Sequence, residues 1–179
     1  VGTGIALKQG KTWIQKGYPL GSTKEVFDAE LYGVKSALDI AINKLSGNPY
    51  IKRLIVLSDS QAALLRISSD YLGPGQALAI DINVRAQTLI DKGIKVILQW
   101  VPSHIGIEGN ERADKAAKEA AGKPTPPGAE RYSSFSYIAR KIKAQKQAET
   151  KEWLYKKTYK GKNKKRSRTY SLSGPLKPD

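Results

Sequence analysis

The chain has 179 residues, 40% of them hydrophobic, and no cysteine, which is enough to bury a core without staples and excludes disulfides and thiolate metal sites. No apolar run is long enough to span a bilayer and no secretory leader opens the chain, so the expectation is one intracellular domain with appendages and no membrane partner. Lys and Arg number 31 against 16 Asp and Glu, and the excess sits at one end: residues 1–122 carry 15 basic and 12 acidic side chains, net +3, and residues 123–179 carry 16 and 4, net +12.

Ile5 to Leu7 and Thr12 to Gly17 are short, rich in β-formers and bounded by Gly10 and by Pro19-Leu20-Gly21, which predicts an antiparallel hairpin. From Asp28, Leu31, Val34, Leu38, Ala41 and Leu45 recur at offsets of three and four, the stripe of an amphipathic helix that ends near Gly47 and Pro49. Arg53 to Ser58 holds the branched run Leu-Ile-Val-Leu and reads as a strand buried on both faces, with Asp59 just past its end. Gln61 to Ser68 reads as a short helix, Ala77 to Asp91 as a longer one after Gly73-Pro74-Gly75, and Ile94 to Val101 as another strand. Asn110 is the expected N-cap of a helix through Ala121. The order β-β-α-β-α-α-β-α indicates a layered α/β domain over residues 1–122, with chemistry gathered at the carboxyl ends of strands.

Residues 123–133 hold Pro124, Pro126 and Pro127 and read as a linker. Residues 134–179 follow as a basic helix and a mobile end. A basic extension beside a near-neutral domain suits a polyanion, because each Lys or Arg that neutralises a phosphate releases counterions; a solvated tail or an import signal has the same composition.

Three acids fall at informative positions: Glu30 in the first turn of the first long helix, Asp59 at a strand end, and Asp114 one turn into the last core helix. A carboxylate near a helix start often only complements the helix dipole, and Glu30 and Asp114 both permit that reading. Asp59, directly after Leu-Ile-Val-Leu, must be hydrated, paired or metal-bound at the sheet edge. A cluster of the three would need divalent cations to be tolerated.

The segment Trp100-Val101-Pro102-Ser103-His104, followed by Gly109-Asn110-Glu111-Arg112-Ala113-Asp114, together with Ala29-Glu30-Leu31 and Ser58-Asp59-Ser60-Gln61, resembles the ribonuclease H family. The motifs stand in family order across residues 1–122, and their style is most similar to the domain that closes non-LTR retrotransposon reverse-transcriptase polyproteins. The resemblance implies a ribonuclease H-like fold, a mixed sheet with helices on both faces. It implies that Glu30, Asp59 and Asp114 ligate two Mg²⁺ or Mn²⁺ ions flanking a scissile phosphate. His104, the one histidine, would assist proton transfer or product release from a mobile loop; a surface histidine without a role is the alternative. Ser60, Gln61 and Asn110 match family positions near the nucleic acid, although strand-end and capping explanations also serve. The implied substrate is an RNA–DNA hybrid, its RNA strand cut without sequence preference, and the implied partner is the reverse transcriptase region of the same polyprotein.

One family element has no counterpart. The first, central strand, with its leading aspartate, is absent from this chain, and Asp28 cannot replace it, lying about 200° around the helix from Glu30 at ~100° per residue. With no methionine and an opening at Val1-Gly2-Thr3-Gly4, the chain reads as a fragment, inactive alone for want of that aspartate. A nuclease-dead nucleic-acid-binding domain and an RNA-packaging protein are the competing readings.

Overall fold

In the computed structural model, which describes residues 1–45, 48, 50–127 and 134–161, β1 (Gly2–Gln9) and β2 (Thr12–Pro19) pair antiparallel from Gly2 opposite Pro19 to Gln9 opposite Thr12. Gly10 and Lys11 are left as the two-residue loop that such hairpins favour. The next helix, α1 (Val26–Leu45), begins two residues earlier than its apolar stripe. Its start is fixed by Asp28, whose carboxylate accepts the Glu25 backbone N–H at 2.9 Å, the half of a capping box in which a third-position acid reaches back over the first turn. Asp28 is therefore a buried cap, and Glu30 lies in the second turn rather than the first.

Beyond α1 come β3 (Arg53–Ser58), α2 (Gln61–Ile67), α3 (Gln76–Ile90) and β4 (Lys95–Trp100). The two helices make the crossover that a parallel pair requires, and β3 and β4 lie parallel with Arg53 opposite Lys95 and Ser58 opposite Trp100. Leu31, Val34 and Leu38 of α1, Leu54 and Val56 of β3, Ile67 of α2, Ile82 and Leu89 of α3 and Ile94 form one buried cluster, each large side chain contributing about 1.5–3 kcal/mol of transfer free energy. Arg85 of α3 pairs with Asp39 of α1 at 2.5 Å and with Asp81, and Lys35 pairs with Asp39 at 2.9 Å, clamping the two helices at the surface.

The α/β class and layering agree with expectation, and two details differ. β3 is buried on one face only: Leu54, Val56 and Ser58 alternate with exposed Arg53, Ile55 and Leu57, because α4 (Glu108–Ala121) lies over β1 and β2 instead. The sheet, too, is two ladders, β1 with β2 and β3 with β4, with no pairing between β1 and β3 among the described residues.

The packing of α4 on the hairpin depends on small residues on both sides. A Cβ at Gly2 would meet the Ala121 amide nitrogen at 2.5 Å and the Ala117 carbonyl oxygen at 2.7 Å, and one at Gly17 would meet the Ala120 Cβ at 2.9 Å. Side chains alternate along a strand, so Thr3 points the other way, toward Gly33 of α1, and β1 carries a helix on each face.

The described residues up to 138 form one compact unit and those from 139 onward a second. α5 (Phe135–Gly161) runs through the segment read as a basic helix, with Glu152 paired to Lys156 at 2.6 Å and the Lys157 ammonium 4.4 Å from the Trp153 ring centre. The expectations for residues 128–133 and 162–179, including part of the linker and the mobile end, lie outside the described residues. Among the described residues, no helix is long and apolar enough to cross a membrane.

Candidate active site

Between β1 and β3 lies a cavity of about 630 Å³, and Glu30, Asp59, Asn110 and Asp114 all line it. Each arrives on a different element: Glu30 on α1, Asp59 where β3 ends, Asn110 and Asp114 on α4. The site is thus built by the packing of α4 on the hairpin and of α1 beneath both ladders. The structure brings the three acids and Asn110 together at this cavity; Ser60, Gln61 and His104 stand outside its lining.

Asp59 is held from two directions. The Asn110 side-chain amide donates to its carboxylate at 3.1 Å, and the Trp100 indole N–H donates to its backbone carbonyl at 3.2 Å. Asn110 is therefore not the N-cap of α4. The helix begins at Glu108 after Ile107, without a side-chain cap, so Asn110 falls in the first turn and its amide is free to point at Asp59. Trp100 had no place in the sequence reading beyond its motif; its position opposite Ser58 in the ladder is the signal that would have identified it.

Glu30 is half-buried and its carboxyl is raised above the ordinary value, first by burial and then by the charges of Asp59 and Asp114. A carboxylate raised by burial and by two like neighbours marks an acidic cluster that favours either protonation or a cation. Asp114 is one turn from Lys118, which pairs with it at 2.5 Å; both are substantially solvent-exposed, and the pair is worth little. Among the described residues no three His, Asp or Glu groups are gathered tightly enough to hold one ion by themselves. The donor set nonetheless fits a hard cation: three carboxylates, no thiol or imidazole, at a site open to solvent. Mg²⁺ in particular keeps several waters and binds through one or two carboxylates at a time.

Ser60 caps α2, its hydroxyl accepting the Ala63 N–H at 3.2 Å, which is an ordinary structural role. Gln61 is exposed at the first position of that helix. His104 is exposed in the loop between β4 and α4 with φ of 56°, and Gly106 follows at 81°; a non-glycine residue held there is a local strain of the kind that collects at functional loops. The loop is tied to α4 by Glu111, whose carboxylate accepts the Gly106 N–H at 3.1 Å. On the hairpin side, Trp13 packs on Gly109, with the Lys8 ammonium 5.5 Å and the Arg112 guanidinium 5.7 Å from its ring centre.

The family model described as RNase H matches residues 1–122. Among solved structures, the chain is similar to RNase H1 from the halophilic archaeon Halobacterium salinarum NRC-1, at 22% identity over 66% of this chain and 83% of that one, with a TM-score of 0.49. It is also similar to the N-terminal RNase H domain of rv2228c from Mycobacterium tuberculosis, determined as a maltose-binding-protein fusion, at 17% identity over 67% of this chain and 94% of that one, with a TM-score of 0.43. No curated protein matches.

Proposed function

Residues 1–122 make this chain a member of the ribonuclease H family, and from that membership we propose that it is the catalytic domain of a metal-dependent endonuclease that hydrolyses the RNA strand of RNA–DNA hybrids. The observation that carries the reading is the arrival of Glu30, Asp59 and Asp114, from three separate elements, at one cavity where burial and the charges of Asp59 and Asp114 act on Glu30.

In this reading Glu30, Asp59 and Asp114 hold two divalent cations, Mg²⁺ or Mn²⁺. Such ions, when bound, polarise the scissile phosphate and make water a stronger nucleophile near neutral pH. The rest is done by side chains of this protein. Asn110 and Trp100 fix the Asp59 carboxylate and backbone, so that a ligand is oriented before substrate arrives, which limits the reorganisation needed at the moment of reaction. Glu30, half-buried among like charges, is the acid whose ionised form a bound cation would favour most. His104, on the strained loop, hands a proton to the leaving oxygen or helps the product depart. Ser60, Gln61 and the Asn110 edge that does not face Asp59 meet the hybrid, whose RNA strand is recognised through its 2′-hydroxyls and its shape.

The motif style and the +12 charge of residues 123–179 support a setting inside a retroelement reverse transcriptase, with the polymerase region as partner and an intracellular location. The second reading, a hybrid-binding domain without nuclease activity, is favoured by the open spacing of the acids, which among the described residues are not gathered tightly enough to hold one ion by themselves. A hybrid with labelled RNA separates them: residues 1–179 are expected to bind it with little cleavage, and a version with a strand ending in Asp-Gly-Ser fused ahead of Val1 is expected to cut it. Binding without cleavage by both forms would favour the second reading.

A further inference from the structure

The helix that carries Asn110 and Asp114 begins without a cap of its own. Ile107 stands at the capping position of α4 and offers no side-chain acceptor, so the first backbone N–H groups lack a capping partner and the turn is prone to fray. Yet Asn110 lies in that turn, and its amide must hold still to donate to Asp59 at 3.1 Å. The hairpin supplies the missing support. The six-membered ring of Trp13, on β2, lies against Gly109, where a Cβ would come within 2.8 Å of its Cη2 and 3.1 Å of its Cζ3. Lys8, opposite Trp13 in the ladder, and Arg112, one turn beyond Gly109, bring their cations to 5.5 and 5.7 Å from the ring centre. Arg112 also donates from Nε at 3.0 Å and Nη2 at 2.9 Å to one oxygen of Glu108. The Glu108 carboxyl is held below its ordinary value first by those hydrogen bonds and then, against some desolvation, by the Arg112 charge, the Trp13 indole N–H and Lys8.

We propose that Trp13 is a positioning residue for the acidic site: its ring seats the first turn of α4, so that the Asn110 amide meets Asp59 before any cation or hybrid arrives. The purpose of that alignment rests on the metal-dependent reading above; the alignment itself does not. Gly109 and Asn110 are consecutive, so a turn that moves at 109 carries the amide at 110 with it. A donor at 3.1 Å ceases to be hydrogen-bonded after a displacement of about 0.5 Å, and a frayed turn moves further than that. A tryptophan suits the task because it presents a wide, rigid face with two rotatable bonds, and the two cations are drawn to that ring by its quadrupole. Glycine at 109 completes the fit, since a side chain there would meet the ring. Trp13 touches neither the acids nor any reacting atom in this scheme; it acts through Asn110. Ordinary packing between hairpin and helix would give the same contact a role in stability alone, and the two roles separate by measurement.

Trp13→Phe is the test, because the shorter ring stops short of Gly109 and lacks the indole N–H, while an aromatic β-former keeps the hairpin. Ile14→Ala, beside it on the opposite face of β2, is the control for loss of stability alone. Both are read in the 179-residue chain without metal, well below their melting temperatures. Trp13→Phe is expected to move the Asn110 side-chain amide resonances toward those of a free amide. It is also expected to speed amide exchange about tenfold at Glu111, whose N–H makes the first bond of α4, to the Ile107 carbonyl at 3.0 Å. Ile14→Ala is expected to lower Tm and leave both signals in place. Unchanged Asn110 resonances and Glu111 exchange in Trp13→Phe overturn the proposal, and so does an equal change in Ile14→Ala, since that is ordinary packing. Mg²⁺ titration is the second arm: affinity should fall about tenfold in Trp13→Phe and fall no further when Trp13→Phe is added to Asn110→Ala. Equal affinity in Trp13→Phe and the parent, or a fall just as large in the Asn110→Ala background, overturns the proposal. Mg²⁺ that binds none of these proteins counts against the metal-dependent reading alone, and the Asn110 resonances still decide the role of Trp13.

Discussion

Alanine in place of Gly4 tests how the site is assembled, because the change adds one methyl group at the contact between β1 and the helix that carries Asp114. The added Cβ would collide with the Ala113 carbonyl oxygen and lie 2.5 Å from the Ala117 amide nitrogen, where ordinary contact begins at 3.4 Å. Both are backbone atoms of α4, which cannot swing aside as a side chain does, so the helix must lift by about 1 Å or the strand must shift. Overpacking of this kind costs ~1–3 kcal/mol, offset by the ~0.4–1 kcal/mol that alanine gains by restricting the unfolded chain. A net loss of about 1.3 kcal/mol corresponds to roughly 5 °C in Tm for a domain of this size. Because Asp114 and Asn110 ride on α4, the Asn110 side-chain amide resonances should move as well, and any cleavage activity should fall by up to ~10²-fold. Gly10→Ala is the control. Its φ is +61° with nothing within 4 Å of the added Cβ, so it costs ~1–2 kcal/mol of backbone strain and leaves the Asn110 resonances in place. Thermal melts and two-dimensional NMR of both variants decide the matter. A Gly4→Ala protein that melts within about 1 °C of the parent, its Asn110 signals unmoved, would refute the close approach of α4 to β1.

Asn110→Ala removes the amide that orients Asp59 and should lower divalent-ion affinity or hybrid cleavage by ~10–100-fold, with the melting temperature little changed, as metal titration of both proteins would show. Glu30 is raised in the folded state, so the fold binds its proton more tightly than the unfolded chain does, and stability should decline as pH rises from 4.5 through the raised value. Glu30→Gln should flatten that decline in melts recorded with chelator across pH 4 to 8; parallel curves for the two proteins would refute the like-charge account. For Asp39, burial alone pushes the carboxyl up, but hydrogen bonds from Lys35 and Arg85 outweigh it and hold the group below its ordinary value. Its contribution is then present above the unfolded value and lost as pH falls through the folded one. Asp39→Asn should destabilise by no more than ~1 kcal/mol at pH 7, because the pair is solvent-screened, and by nothing at pH 2. Arg140 to Arg168 carry Lys or Arg at 13 positions, so truncation after Gly122 should weaken hybrid affinity and reduce the slope of log K against log salt by ~0.9 for each lost phosphate contact. An unchanged slope would end the nucleic-acid reading of the tail, and a lower Tm in its place would point to a structural helix.

The elements of residues 1–122 were legible because their signals are local. The offsets of Leu31, Val34 and Leu38 set the helical face, the Leu-Ile-Val-Leu run marks β3 to the residue, and Gly73-Pro74-Gly75 separates α2 from α3. The acids of the site were legible through motifs rather than through periodicity. Three features were not. Burial of β3 on both faces was inferred from its composition, but Ile55 and Leu57 are exposed, since burial depends on which layer a distant helix covers and α4 covers the hairpin. Asn110 reads as a cap because capping residues cluster before apolar runs, whereas the helix starts three residues earlier, after Ile107, and frees its amide for Asp59. The support that Trp100 gives the Asp59 carbonyl is a cross-strand relation, and it follows only once β3 and β4 are known to pair in the observed register. Gly2, Gly4 and Gly17 gave no periodic signal at all, because their role is to leave room for a helix that comes a hundred residues later.

The central claim is that Glu30, Asp59 and Asp114 form one metal-dependent site for cutting RNA in a hybrid. It is tested most directly by presenting an end-labelled RNA–DNA hybrid to the form with an Asp-Gly-Ser strand ahead of Val1, with Mg²⁺, with chelator, and with Asp59→Asn. The account predicts cuts in the RNA strand alone, leaving 5′-phosphate and 3′-hydroxyl ends, dependent on Mg²⁺ or Mn²⁺. It predicts that Asp59→Asn abolishes these cuts while the far-UV spectrum and hybrid binding persist. Cleavage that survives chelation, or that survives Asp59→Asn in a folded protein, would contradict it.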